Sequence, residues 1–115
     1  GTPEEVYNRP ATTFVASFMG SPPMNLLHHA PGVKQGSVLG IRPEHLVFGD
    51  DGWQVLVEQV EMLGAERLIH ARIGDEQLVM RVEEGVPAPA VGSSVRIAAR
   101  PEKLHWFDAG SGKRL

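Results

Sequence analysis

The chain has 115 residues, of which 42% are hydrophobic, and its 11 basic and 14 acidic residues give a net charge of −3. This length predicts one domain with a modest core, and the negative charge offers no general attraction for nucleic acids or anionic membranes. The absence of cysteine excludes disulfides and thiol chemistry, while 13 glycines and 9 prolines indicate many turns between short elements.

The first ten residues carry the signals of a helix start. Thr2 offers a hydroxyl N-cap, Pro3 suits the first helical position, and the carboxylate of Glu5 stands at the third. Pro10 then prevents the helix from continuing. We therefore predict one short helix within residues 1–10.

A second helical pattern follows at once. Residues 12–19 place Phe14, Val15 and Phe18 on one helical face, and Gly20 ends the pattern. Two short helices with a single apolar stripe cannot enclose a core of their own. We expect Phe14, Val15 and Phe18 to form an interface with another surface.

Strand patterns dominate from residue 24 onward. Apolar side chains alternate in residues 53–57 and resume in the opposite phase at residues 60–62, which predicts a β-bulge. Alternation continues in residues 68–73 and 78–82, and residues 95–99 form another strand pattern. The fold class predicted is mainly β: an OB-like small barrel of short antiparallel strands, preceded by two short N-terminal helices.

The pattern R-P-E-x-L occurs twice, at residues 42–46 and 100–104, each time after an apolar run that resembles a strand. Proline fixes φ and lacks a donor, so each copy is predicted to be a turn at a strand exit. The two glutamates could in principle pair for acid–base chemistry, but their identical contexts favour turn capping or dimer contacts. The residues selected for structural or interface roles are Arg42, Glu44, Arg100 and Glu102.

No catalytic, cofactor-binding or metal-binding residue is predicted in this chain. His28 and His29 are neighbours that would point to opposite faces of a strand, and no third ligand is close in sequence, so we expect a structural role. The chain has no phosphate-loop, dinucleotide-binding or G-x-S-x-G motif. Core packing is expected, rather than stacking on nucleic-acid bases, for four large aromatic residues: Phe48, Trp53, Trp106 and Phe107.

Several stretches resemble one family. Residues 1–10 (GTPEEVYNRP) and 14–22 (FVASFMGSP) are similar to the end of the nucleotide-binding domain in the ATPases of sugar-import ABC transporters. Residues 40–46 (GIRPEHL) resemble the hallmark of the transport-associated OB (TOBE) domain that follows it, and residues 104–108 (LHWFD) resemble that family's C-terminus. Residues 62–72 look most like the sn-glycerol-3-phosphate importer's ATPase, with maltose-type and other sugar importers close behind.

The resemblance implies a division of the chain at residue 20. Residues 1–20 would be the helical tail of a preceding nucleotide-binding domain, and residues 21–115 would be the OB-like regulatory domain. The fragment itself would not be an enzyme. ATP and Mg would bind in the preceding domain of a parent subunit that hydrolyses ATP to import sn-glycerol 3-phosphate or a sugar.

The resemblance also implies partners and a location. The expected partners are a second copy in a homodimer, the nucleotide-binding domain of the same parent chain, the membrane permease subunits and a cytoplasmic regulatory protein, but no nucleic acid. Because no apolar run reaches the length of a membrane span, we expect a cytoplasmic chain. It would be held peripherally at the inner face of the cell membrane through the parent transporter.

One segment departs from the family pattern. The stretch between Leu27 and Gly36 is longer in the family, which leaves open how a barrel closes here.

A small-oxyanion-binding module is the alternative function, because the resemblance implies that related barrels bind such ligands and turn amides can form anion sites. Binding of single-stranded nucleic acid is a third possibility, which the acidic charge balance disfavours.

Overall fold

The computed structural model describes all 115 residues. Two short helices, α1 (Pro3–Asn8) and α2 (Thr13–Ala16), precede seven strands. The strands are β1 (Asn25–Leu27), β2 (Ser37–Ile41), β3 (Leu46–Leu63), β4 (Glu66–Ile73), β5 (Glu76–Glu83), β6 (Ser94–Ala99) and β7 (His105–Asp108). The mainly β fold with two short N-terminal helices is therefore confirmed.

The strands form two antiparallel sheets that curl around one core. One sheet has the order β1-β2-β7, and the other has the order β5-β4-β3-β6. The long strand β3 pairs with β6 and β4, and its register against β4 shifts between Val57 and Gln59. This bulge lies where the hydrophobic pattern changes phase, as predicted, and it lets one strand bend from one side of the barrel to the other.

Side chains from both sheets fill the core. The alternation predicted for β4 and β5 is confirmed, since Ile69, Ala71, Leu78 and Met80 are buried in one cluster of 14 residues. Trp53 and Trp106 pack partly buried against this cluster. Phe107 is fully buried in a second, smaller cluster. The prediction of a core position is wrong for Phe48, which is 38% exposed, because β3 becomes irregular between Phe48 and Trp53.

A polar side chain links the two sheets where barrel closure was in question. Asn25 is buried at the start of β1, and its side-chain amide donates to the carbonyl of Val79 in β5 at 2.9 Å. Its side-chain oxygen accepts from the amide of Val79 at 2.8 Å. Asn25 therefore completes the two hydrogen bonds that a neighbouring strand would offer Val79, and it links β1 to β5 although the two strands belong to separate sheets.

The second helix is shorter than the sequence pattern predicts. α2 ends at Ala16, whereas the pattern extends the helix to Met19. The hydroxyl of Ser17 donates to the carbonyl of Phe14 at 2.7 Å, and this local bond competes with helix continuation. Residues 17–19 form a turn that ends at Gly20, whose φ of +103° is the left-handed conformation that favours glycine.

Candidate interaction site at the N-terminal segment

The first R-P-E-x-L copy holds the N-terminal segment, residues 1–20, against the barrel. Arg42 lies at the exit of β2 and is only 2% exposed. Its guanidinium donates to the carbonyl of Tyr7 at 2.9 Å and to the carbonyl of Met19, and it stacks over the Tyr7 ring at 4.0 Å. One buried cation thus fastens α1 and the turn that follows α2 to the barrel.

Glu44, in the same R-P-E-x-L copy, extends this attachment. The hydroxyl of Tyr7 donates to the Oε2 atom of Glu44 at 2.7 Å. Burial alone would raise the pKa of Glu44, but the bond from Tyr7, its own backbone N–H and the nearby charges of His45 and Arg81 together hold that pKa below its ordinary value. Burial and the same bond raise the pKa of Tyr7. The pair is therefore a neutral phenol donating to a carboxylate at neutral pH.

The second R-P-E-x-L copy has the same backbone and different surroundings. Both copies form a 3-10 turn at a strand exit, as predicted, and the amide of Arg100 donates to the carbonyl of His45 at 3.0 Å, so the two turns are in contact. Arg100 and Glu102 are exposed, in contrast to the burial of Arg42. The doubled motif thus marks equivalent turns, of which one is covered by the N-terminal segment and the other is open to solvent.

The C-terminal residues form the other attachment of the N-terminal segment. The amide of Thr13 donates to the carbonyl of Gly112 at 2.8 Å, and the amide of Arg114 donates to the carbonyl of Ala11 at 2.9 Å. Ala16 is fully buried in the smaller hydrophobic cluster, beside Phe107. One side of the segment therefore packs on this chain's own barrel. The division of the chain at residue 20 stays a prediction.

The opposite side of the segment is apolar and exposed. Phe14 is 74% exposed and Phe18 is 57% exposed, and their rings meet edge to face with centroids 5.1 Å apart. Val15 is half-buried between this side and the barrel. We call Phe14 and Phe18 the aromatic patch. Exposed apolar side chains often mark an interface with another surface. The interface role of Phe14, Val15 and Phe18 stays a prediction.

The adjacent histidines lie beside acidic residues that sequence spacing did not reveal. The carboxylate of Glu76 accepts from the backbone amides of His28 at 2.8 Å and His29 at 2.7 Å. The side chains of His29, Asp75 and Glu76 offer ligand atoms within 4.8 Å of one another, because the β4–β5 turn lies next to the end of β1. The backbone bonds to Glu76 tie the β4–β5 turn to the residues after β1, and the structural role expected for the two histidines stays a prediction.

No helix of the chain combines the length and the apolar character needed to cross a membrane.

Residues 39–107 match the family model of the TOBE domain. The chain is 37% identical over 143 residues to the sn-glycerol-3-phosphate import ATP-binding protein of Bordetella pertussis. It is also 37% identical, over 141 residues, to the protein of the same name from Salmonella typhimurium.

These alignments include 100% of this chain but only 40% of the Bordetella protein and 39% of the Salmonella protein. The chain therefore spans about 40% of the length of the relatives it matches. Since 143 aligned positions stand against 115 residues here, the relatives carry additional residues within the aligned segment. That the shortening lies between Leu27 and Gly36 stays a prediction.

Proposed function

Because this chain belongs to the TOBE domain family, we propose that it is the regulatory and dimerisation domain of the ATP-hydrolysing subunit of an ABC importer. The relatives are import ATP-binding proteins, and this chain corresponds to less than half of their length. In the proposed parent subunit, the catalytic domain with its ATP and Mg lies outside this chain. The imported solute is sn-glycerol 3-phosphate or a sugar.

The observation that carries the proposal is the aromatic patch on a segment that the barrel holds in place. Arg42 and the residues after β7 fix one side of residues 1–20, so Phe14 and Phe18 are presented on a supported surface rather than on a free tail. In the parent, residues 1–20 are the end of the nucleotide-binding domain, and residues 21–115 are the regulatory domain. In the isolated chain, the exposed patch pairs with a second copy.

The exposed turn of the second R-P-E-x-L copy is the surface to which we assign the regulatory contacts. Arg100 and Glu102 are exposed, and they offer charges of both signs to a second copy or to a cytoplasmic regulatory protein. Charged residues at such positions set the orientation and rate of association more than its strength. The parent subunit would lie under the permease at the inner face of the cell membrane.

The reading frame upstream of Gly1 tests the assignment to an ABC ATPase. We expect it to encode a G-x-x-x-x-G-K-[ST] phosphate loop, because the nucleotide must bind outside the 115 residues. The purified 115-residue chain is expected not to hydrolyse ATP. An upstream frame without a phosphate loop, or hydrolysis by the isolated chain, would contradict the proposal.

A further inference from the structure

The residues that follow β1 and the turn between β4 and β5 bring metal-ligating side chains together on one surface. His29 lies just after β1, Asp75 lies in the β4–β5 turn, and Glu76 begins β5. Nδ1 of His29 is 3.5 Å from Oδ1 of Asp75, and ligand atoms of all three residues lie within 4.8 Å of one another. Sequence spacing could not show this group, because His29 and Glu76 are 47 positions apart. We call these three residues the His29 cluster.

The fold fixes the carboxylate of Glu76 within the His29 cluster. The side chain of Glu76 is 15% exposed, and its oxygens accept from the backbone amides of His28 at 2.8 Å and His29 at 2.7 Å. Nδ1 of His28 lies 3.3 Å from the same carboxylate. Two amides and one imidazole leave room for a further bond among the roughly four lone-pair positions of a carboxylate. Carboxylates that bind metal ions are typically oriented by such hydrogen bonds from outside the coordination shell.

The two carboxylates of the His29 cluster have no lysine or arginine partner. Elsewhere on the same sheet, Glu58 forms an ion pair with Arg72 at 3.1 Å. Asp75 and Glu76 are instead paired only with the imidazoles of the two adjacent histidines. The cluster therefore combines two carboxylates that lack a permanent cation with an imidazole nitrogen. This is a donor set that suits a divalent transition-metal ion.

We propose that the His29 cluster binds one divalent metal ion of the Zn²⁺ type, with His29, Asp75 and Glu76 as ligands and water in the fourth position. Ligand atoms about 2.1 Å from a tetrahedral Zn²⁺ lie about 3.4 Å from one another, close to the 3.5 Å between His29 and Asp75. These two side chains are 70% and 75% exposed, so they are free to rotate towards Glu76. Mg²⁺ and Ca²⁺ prefer oxygen ligands, so the imidazole selects against them.

A bound ion would strengthen the connection between β1 and β5. Asn25 at the start of β1 bonds to Val79 of β5, and His28 just after β1 bonds to Glu76 at the start of β5. The two contacts are three residues apart on each side and run in opposite directions, so β1 and β5 lie antiparallel beside each other. Because only the folded chain brings the three ligands together, the ion should stabilise the folded state.

Calorimetry on the 115-residue chain with Zn²⁺ and with Mg²⁺ tests the proposal. We expect one Zn²⁺ per chain, bound at least about tenfold more tightly than Mg²⁺. Zn²⁺ at about a hundredfold above its dissociation constant should also raise the thermal unfolding midpoint by about 5 °C or more. Absence of Zn²⁺ binding, or equal binding of Mg²⁺, would overturn the proposal. The site lies outside the aromatic patch, so neither result bears on the proposed function.

A double variant and a matched control locate the ion. His29→Gln combined with Asp75→Asn removes two exposed ligands without cutting into the core, and Zn²⁺ affinity should fall by about tenfold or more. The control is His70→Gln, because His70 also pairs with a carboxylate, that of Glu61, but belongs to no group of three ligands. It should bind Zn²⁺ like the wild type. Full binding by the double variant, or an equal loss in His70→Gln, would show binding by scattered histidines and refute the site.

Nuclear magnetic resonance supplies a readout at the site itself. Zn²⁺ should shift the ring signals of His29 more than those of His45, His70 and His105, which lie outside the cluster. Larger shifts at any of these three histidines than at His29 would place the ion elsewhere and overturn the proposal.

Discussion

Replacing Arg42 by methionine should loosen the N-terminal segment from the barrel, while the same replacement at Arg100 should have little effect. The two arginines begin the two copies of R-P-E-x-L and have nearly the same extended backbone, with ψ of 146° and 121°. They differ in burial and contacts, since Arg42 is 2% exposed and Arg100 is exposed. The second site is therefore a matched control for the first.

The expected magnitude follows from the contacts of Arg42. It donates two hydrogen bonds to backbone carbonyls and stacks on Tyr7. Hydrogen bonds from a charged donor contribute about 1.5–3 kcal/mol each, but burial of the guanidinium offsets part of this. We expect a net loss of about 3 kcal/mol for Arg42→Met, which is a large fraction of the roughly 5–15 kcal/mol that stabilises a typical domain. Arg100→Met removes no buried contact and should change stability within experimental error.

Urea unfolding gives the two free energies, and amide hydrogen exchange shows where stability is lost. Arg42→Met should increase exchange in residues 3–19 more than in β4 and β5, because Arg42 contacts the N-terminal segment directly. Equal losses for Arg42→Met and Arg100→Met, or exchange that increases uniformly over the chain, would refute this account of the attachment.

Three further predictions concern pH, the link between the sheets and close packing. Because burial and nearby positive charges lower the pKa of His105 to about 4 in the folded chain, the folded state should be most stable above pH 6.5 and lose stability as the pH falls towards 4. In His105→Gln, the urea midpoint should fall less between pH 6.5 and 5 than it does in the wild type. Asn25→Leu leaves the N–H and C=O groups of Val79 unpaired, and a loss of about 3 kcal/mol is expected by urea unfolding. A neutral result would contradict the role of Asn25 in linking β1 to β5. Gly52→Ala places a Cβ 2.4 Å from the backbone of the adjacent strand and should lower stability by about 2 kcal/mol. A Cβ at Gly85 meets nothing within 4 Å, so Gly85→Ala is the control. Equal shifts of the thermal unfolding midpoint in the two variants would contradict this prediction.

The sequence patterns predict the elements that depend on local signals. Thr2 accepts from the amide of Glu5, as the capping pattern requires, and the change of phase after Val57 marks a real bulge. Proline in R-P-E-x-L places both turns at strand exits. Each of these features is set by residues that are neighbours in the chain, so a single sequence is sufficient to predict it.

Features that depend on long-range contacts are not visible in the sequence. Nothing local distinguishes Arg42 from Arg100, and their burial differs only because Tyr7 and Met19 cover the first turn. The link between Asn25 and Val79 joins residues 54 positions apart.

Self-association through the aromatic patch is the central claim, and light scattering of the 115-residue chain over a range of concentrations tests it most directly. We predict that the wild-type mass rises towards a dimer with concentration and that Phe18→Glu, which puts a charge into the patch, remains a monomer. Val91→Glu adds the same charge at an apolar residue of similar exposure, 63%, outside the patch, and should associate like the wild type. Monomers at every concentration for the wild type, or equal association of the wild type and Phe18→Glu, would contradict the claim.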